Sequence, residues 1–98
     1  MADPVYTDLE KRCIRALRLS TEAATYLLDE IKDNIKAAEA ELIRSGVPDD
    51  VVNAEGDLVS QAVVTYVLMM MNDEDKYAQY FASFTHQQDN LRKTNYEE

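Results

Sequence analysis

Residues 57–72, DLVSQAVVTYVLMMMN, form the most apolar stretch of the chain and carry no charge after the opening aspartate. A helix wound from this stretch places one apolar set on a broad arc: Leu58, Val59, Ala62, Val63, Tyr66, Val67, Met69 and Met70. Further apolar residues, Val64, Leu68 and Met71, fall on much of the remaining surface. The stretch is too short and too often interrupted by polar residues for a bilayer span, which takes about 20 apolar residues. We predict a central helix packed by the other helices, with room for a neighbouring subunit to contribute.

Length and composition predict one small all-α domain. The chain has 98 residues, enough for a single modest core. Two glycines and two prolines leave little turn chemistry for a many-stranded fold. We therefore expect residues 1–98 to form one bundle of about four helices, with a long second helix and the apolar third helix at its centre. Residues 1–6 and 94–98 are predicted to be flexible ends.

The charge balance is strongly acidic. The formal net charge is −9, with only ten Lys and Arg residues. A protein that coats a phosphate backbone needs clustered positive charge, so this composition argues against that class and favours a solvated acidic surface. A single cysteine cannot form an internal disulfide, and no signal peptide is recognisable. We infer synthesis in a reducing cytosol.

Local signals predict where the helices begin and end. Thr7 and Glu10 fit a capping box that starts the first helix, which is expected to reach about Leu17. Ser20 or Thr21 starts the second helix, and Gly46 suits the left-handed position after its end. This helix should be roughly 36 Å long, more than a compact domain of this size needs. Its apolar seam is spaced for packing against one other helix: Leu28, Ile31, Ile35, Ala38 and Leu42.

The last helix carries most of the aromatic side chains. Pro48 ends the second helix, and the polar linker 47–56 has room for one helical turn. Residues 72–75, NDED, are expected to cap the last helix. One stripe then recurs on a single side: Tyr77, Tyr80, Phe81, Phe84 and Leu91, with Gln88 in the same line. The pattern lapses from about Lys93.

Two sets of residues are candidates for a subunit or partner interface. The basic side of the first helix consists of Lys11, Arg12, Arg15 and Arg18, which gather opposite its apolar residues. It is either a solvated face or a dock for an acidic patch of another copy or a partner, such as the acids of the linker or Asp29 and Asp33 on the second helix of the next copy. The second set is Met69 and Met71, which serve either as an adaptable partner surface or as core filling.

The residues point to no catalytic, cofactor or metal site. His86 is the only histidine and points away from the aromatic stripe, without a nucleophile motif to serve. Cys13 lies on the apolar side of the first helix, where it is expected to act as a small buried side chain. The acids of residues 73–75 lack the alternation and glycine of a calcium loop. We therefore predict that the protein is not an enzyme.

Three stretches follow one another in an order that resembles a known family: CIRALRLSTEAATYLLDEIKDNIKAAEAELIRSGV, LVSQAVVTYVLMMMND and YAQYFASFTHQQDNL. They are similar to the opening pair of helices, the apolar central helix and the closing helix of the small head-tail connector proteins of tailed bacteriophages. This family is also labelled as phage DNA packaging proteins or head completion adaptors. The likeness covers roughly residues 13–91 and lies in pattern, order and length rather than in one diagnostic motif.

The resemblance implies a virion structural protein made in the cytoplasm of a host bacterium. Members of this family form homo-oligomeric rings under the portal protein, with about a dozen copies a reasonable count. The ring joins head to tail, meets a downstream stopper or tail completion protein, and lets DNA pass without sequence-specific binding. No cofactor and no membrane are implied.

Two other classes share parts of this composition. A small acidic helical module that binds proteins in an unrelated pathway would be a monomer or dimer rather than a ring. A helix-turn-helix protein is disfavoured, because no short turn and basic recognition helix follow the basic side of the first helix.

Overall fold

The computed structural model describes residues 6–72 and 74–94, and every regular element within them is helical. The elements are α1 (Asp8–Leu17), α2 (Thr21–Ser45), α3 (Asp49–Ala54), α4 (Asp57–Met71), a 3₁₀ turn (Glu74–Lys76) and α5 (Tyr77–Thr94). The prediction of an all-α chain is therefore confirmed for the described residues. Of the predicted flexible ends, residues 1–5 and 95–98 lie outside them. Tyr6 lies inside, with its hydroxyl 3.3 Å from Thr25 Oγ1.

The predicted helix ends in the first half of the chain are confirmed. Thr7 Oγ1 accepts a hydrogen bond from the Glu10 N–H at 3.1 Å, and the Glu10 carboxylate accepts from the Thr7 N–H at 2.9 Å. Ser20 Oγ accepts from the Ala23 N–H at 3.1 Å. Gly46 follows α2 with φ 115°, and its N–H donates to the Ile43 carbonyl. Each of these contacts spans a few residues, which is why local sequence predicts them.

The linker between α2 and α4 corrects the expected count of about four helices. Its residues Asp49–Ala54 form α3, a fifth helix among the described residues, instead of a single loose turn. Pro48 precedes this helix in an extended conformation, as suits a residue without an N–H. Val52 is fully buried and packs in the core, which fixes the position of α3.

The core is built around α4, which contacts α1, α2 and α5. Tyr66 on α4 meets Phe84 on α5 edge to face, with ring centroids 5.3 Å apart. Val59 near the start of α4 lies beside Leu91 near the end of α5. The two helices therefore form an antiparallel hairpin. The fully enclosed side chains come from every α-helix except α5: Cys13, Ile31, Ala38, Leu42, Val52, Ala62, Val63 and Val67.

Two residues of the predicted buried arc of α4 are exposed. Leu58 in its first turn is 54% exposed and Met70 in its last turn is 48% exposed. Three covering helices do not wrap the whole circumference of α4, and a strip at both of its ends stays open. The surface of α4 that a neighbouring subunit could cover is therefore limited to these two ends.

The predicted cap and stripe of the last helix are also corrected. Asn72 ends α4, donating its N–H to the Leu68 carbonyl, and Asp73 lies outside the described residues. A 3₁₀ turn intervenes before α5 begins at Tyr77. Phe84 and Leu91 are buried, whereas Tyr77 and Phe81 are half-exposed. In the antiparallel register Tyr77 lies beyond the end of α4, and Phe81 is about 60° round the helix from Phe84.

The molecule is flattened into the shape of a plate, with one dimension much shorter than the other two. Its extents are 48 × 32 × 17 Å, and its radius of gyration is 13.8 Å, against about 13 Å for a compact chain of this length. The long dimension exceeds the roughly 37 Å length of the 25-residue helix α2. Two broad faces and a rim are therefore the surfaces on which a functional site can lie.

Candidate protein interface

The basic side of α1 divides into one inward and three outward residues. Arg12 Nη1 lies 3.8 Å from Asp57 Oδ1 at the start of α4, and the Arg12 side chain is only 33% exposed. The other three cations of this side, Lys11, Arg15 and Arg18, are exposed. Arg12 is therefore turned toward α4, while the outward three are accessible to a partner.

Arg12 and Arg15 also line a polar recess between α1, α4 and α5. Its volume is about 370 Å³, and its polar lining includes Gln61, Thr65 and Gln87. The side-chain oxygen of Gln87 is buried and has no hydrogen-bond partner within the described part of the chain. Two guanidinium groups one turn apart can bind a carboxylate through charge-assisted hydrogen bonds.

The acidic candidates on α2 are exposed and form no ion pair within the described residues. The ion pairs there join Arg12 to Asp57, Arg44 to Glu41 and Arg92 to Asp89. Asp29 and Asp33 are therefore accessible, and their pairing with the basic side of another copy stays a prediction.

The methionine candidates separate into core and surface. Met69 is only 6% exposed, and Met71 is half-buried against the core. Met69 therefore does not offer its side chain to a partner in the isolated chain. Met70 between them is 48% exposed and was not among the predicted interface residues. Three identical neighbours give the sequence no signal for which one faces outward.

A groove that the sequence did not indicate lies where α3, α4 and α5 meet. This hairpin groove has a volume of about 500 Å³ and is mostly apolar; its walls include Asp50, Val51, Ala54, Leu58, Val59 and Leu91. Asp57 also lies on its rim, with its side chain 96% exposed. The groove depends on the position of α3, which sequence reasoning placed in a linker.

The opposite end of the α4–α5 hairpin presents exposed rings. Tyr77 and Phe81 stack with centroids 6.1 Å apart and an interplanar angle of 18°. They are 45% and 51% exposed, and Met70 lies at the same end of the hairpin. We call Met70, Tyr77 and Phe81 the aromatic end. Tyr77 and Phe81 belong to the aromatic stripe predicted from the sequence and Met70 to the apolar arc of the central helix, but neither pattern indicated which of its residues are exposed.

The titratable groups with shifted pKa values are structural. Burial raises the pKa of the Cys13 thiol to about 11, so the thiol stays protonated and inert at neutral pH. His86 is exposed on α5. Across the described ranges no group of three His, Cys, Asp or Glu side chains is arranged to hold a metal ion. The helices of residues 6–72 and 74–94 include none with the length and apolarity of a membrane span.

Comparison with models of known protein families, with curated proteins and with solved structures finds no match for this chain.

Proposed function

We propose that the chain is a virion structural protein of a tailed bacteriophage, a connector subunit that forms a homo-oligomeric ring below the portal. In this proposal the ring joins the capsid to a downstream stopper or tail completion protein and leaves a channel for DNA. The order of helical segments, which resembles that of head-tail connector proteins, is one support. The place of action would be the head-tail junction, after synthesis in the host cytoplasm.

The observation that carries the proposal is the set of exposed apolar side chains at the two ends of the α4–α5 hairpin. Leu58 at one end and Met70, Tyr77 and Phe81 at the other are each about half-exposed. Exposed apolar side chains that lie together often mark a site of contact with another protein. Two different surfaces on one copy are what a ring of identical subunits requires, because each copy meets two neighbours in different ways.

Native mass spectrometry and light scattering over a concentration series test the proposal. A connector subunit is expected to form closed rings of one defined size, visible in electron micrographs as annuli. A monomer or dimer at every concentration contradicts the proposal and favours the other candidate, a small acidic helical module that binds proteins in an unrelated pathway.

Charge pairing between copies is a second part of the proposal. The outward residues Arg15 and Arg18 would meet Asp29 and Asp33 of the next copy. The double variant Arg15→Glu, Arg18→Glu is expected to assemble only at higher protein concentration, because it places like charges together. Arg12 is left intact because it pairs with Asp57 within its own chain.

The matched control makes the same change in charge on α2, next to Asp29 and Asp33, rather than on α1. Lys32→Glu with Lys36→Glu alters two exposed cations of α2 and would leave assembly intact or favour it. Equal assembly of both double variants and the unaltered protein, at low and at high salt, would eliminate the charge pairing but not the ring.

The acidic balance suits a channel that DNA passes through. A net charge of −9 on every copy repels a phosphate backbone and leaves few Lys and Arg residues whose binding would release its counterions. The purified ring is expected to show no retention of duplex DNA in a gel shift at physiological salt. Tight, salt-dependent binding of DNA would contradict this part of the proposal.

A further inference from the structure

We propose that the aromatic end of one copy occupies the hairpin groove of the next copy, and that this one contact, repeated, closes the ring. The inference rests on the proposed ring and names the surfaces that build it. Both surfaces were defined above from exposure and shape within a single chain.

The groove has the form and chemistry of a socket for apolar side chains. Leu58 stands half-exposed on its wall, and buried Val59 and Leu91 form its floor. A volume of about 500 Å³ admits more than one ring, and water held against such a lining is released when an apolar group enters.

The aromatic end has the form of a plug. The stacked rings of Tyr77 and Phe81 make one rigid unit that loses little side-chain freedom when it is buried. Tyr77 follows the 3₁₀ turn and lies past the end of α4, so it projects from the hairpin.

Plug and socket lie at opposite ends of the same hairpin. Leu58 and Met70 are twelve residues apart on α4, which is about 18 Å along the helix axis. A plug cannot enter the socket of its own chain at that distance. A contact between unlike surfaces at opposite ends of a molecule generates a ring or a filament rather than a two-fold dimer.

The charges beside the two surfaces can match in one orientation. Asp50 and Asp57 line the groove, and the exposed Lys76 directly precedes Tyr77 in the plug. An approach that brings Lys76 to Asp50 and Asp57 pairs opposite charges and favours one direction in which the plug enters.

The test uses one charge inserted into each surface. Leu58→Asp introduces a charge into the socket, and Phe81→Asp introduces one into the plug. Both positions are half-exposed, so circular dichroism should show that both variants are folded. Each variant alone is expected to raise the concentration for half-assembly about tenfold or more, because a carboxylate must be buried without a partner. A mixture of the two should form dimers and stop there, since Leu58→Asp keeps its plug and Phe81→Asp keeps its socket.

Cysteine cross-linking gives a second readout that does not depend on loss of assembly. A chain carrying Ala54→Cys in the groove and Tyr77→Cys in the plug should oxidise to a ladder of covalent multimers. A mixture of the two single-cysteine variants should give dimers only. The native Cys13 is fully buried and does not interfere.

The outcomes separate this inference from the ring itself. Rings that persist in Leu58→Asp and Phe81→Asp overturn the plug and socket but leave the connector proposal standing. Loss of assembly in Leu58→Asp alone, with Phe81→Asp unaffected, means that something other than the aromatic end fills the groove, and also overturns the inference. An unaltered protein that never assembles contradicts both.

Discussion

Glu39 and Glu55 bring two carboxyl groups together where α2 passes the end of α3. Burial raises the pKa of Glu39, and the hydrogen bond and negative charge of Glu55 raise it further. Glu55 itself is held at φ 52° as the residue that ends α3. A pair of like charges at this point disfavours the folded state near neutral pH.

A single substitution at Glu39 tests this pair. The folded protein binds the Glu39 proton more tightly than the unfolded chain does, so the contribution of this group to stability rises as the pH falls through its raised pKa. Glu39→Gln is therefore expected to stabilise the protein at neutral pH, by less than about 1 kcal/mol because solvent screens a half-exposed group. The gain should shrink as the pH falls through the raised pKa of Glu39 and should be small at about pH 4, just below the pKa of about 4.3 for glutamate in an unfolded chain.

Urea unfolding at the two pH values measures the effect. Glu30→Gln, at an exposed position on the same helix, serves as the control for the change in net charge. An equal effect of both substitutions at both pH values would contradict a special interaction between Glu39 and Glu55.

At the scale of the elements, the two glycines have opposite roles. Gly46 ends α2 at φ 115°, a conformation that side chains with a Cβ adopt only under strain. Gly56 precedes α4 in an extended conformation, without a side chain to cap the helix and with open space around it.

Substitutions of the two glycines should therefore shift stability in opposite directions. Gly46→Ala is expected to lower the free energy of unfolding by about 1 kcal/mol through backbone strain. Gly56→Ser should raise it by a few tenths to about 1 kcal/mol, because the serine hydroxyl can cap α4 and the unfolded chain loses freedom. Thermal unfolding of both variants beside the unaltered protein checks the signs, and a gain from Gly46→Ala would contradict the assignment.

Two phenylalanines of α5 provide a comparison within one helix. Phe84 is 4% exposed and packs on Tyr66, so Phe84→Ala should cost about 3–5 kcal/mol. Phe81 is 51% exposed, and Phe81→Ala should cost under about 1 kcal/mol in the monomer. Denaturant unfolding at low protein concentration makes the comparison. Similar losses for both would mean that the aromatic end belongs to the core.

The same pair shows what sequence can and cannot predict here. Helix ends followed from local contacts such as Thr7 with Glu10, and the seam of α2 followed from its spacing, because these signals involve neighbours in sequence. Exposure of Phe81 and Met70 depends on where α4 ends and on which helices cover it, so the periodic pattern assigned both to the interior. The hairpin groove needs α3, α4 and Leu91 together and leaves no local signal.

At the scale of the whole molecule, net charge and apolar surface oppose each other. Copies with a charge of −9 repel over distances of roughly 30 Å at about 0.01 M salt, and over less than 10 Å at physiological ionic strength. The apolar contact proposed between plug and socket does not weaken with salt.

The protein concentration at which assembly is half complete is therefore expected to fall as NaCl rises from about 0.01 to 0.5 M, because screening removes repulsion between copies. Light scattering at each salt concentration measures the midpoint. The double variant Leu58→Asp, Phe81→Asp, which lacks both surfaces, should remain a monomer throughout. A midpoint that rises with salt would mean that pairing by Arg15 and Arg18 outweighs the apolar contact.

The 17 Å thickness of the plate limits where a partner can bind. A helix with its side chains is about 10 Å across, so about two layers of helix lie between one broad face and the other. Whatever the protein recognises is therefore met at a face, along the rim or in an open groove such as the hairpin groove. A partner bound on one broad face is then separated from the opposite face by only one or two helices. A shift of α4 would therefore change the shape of both faces.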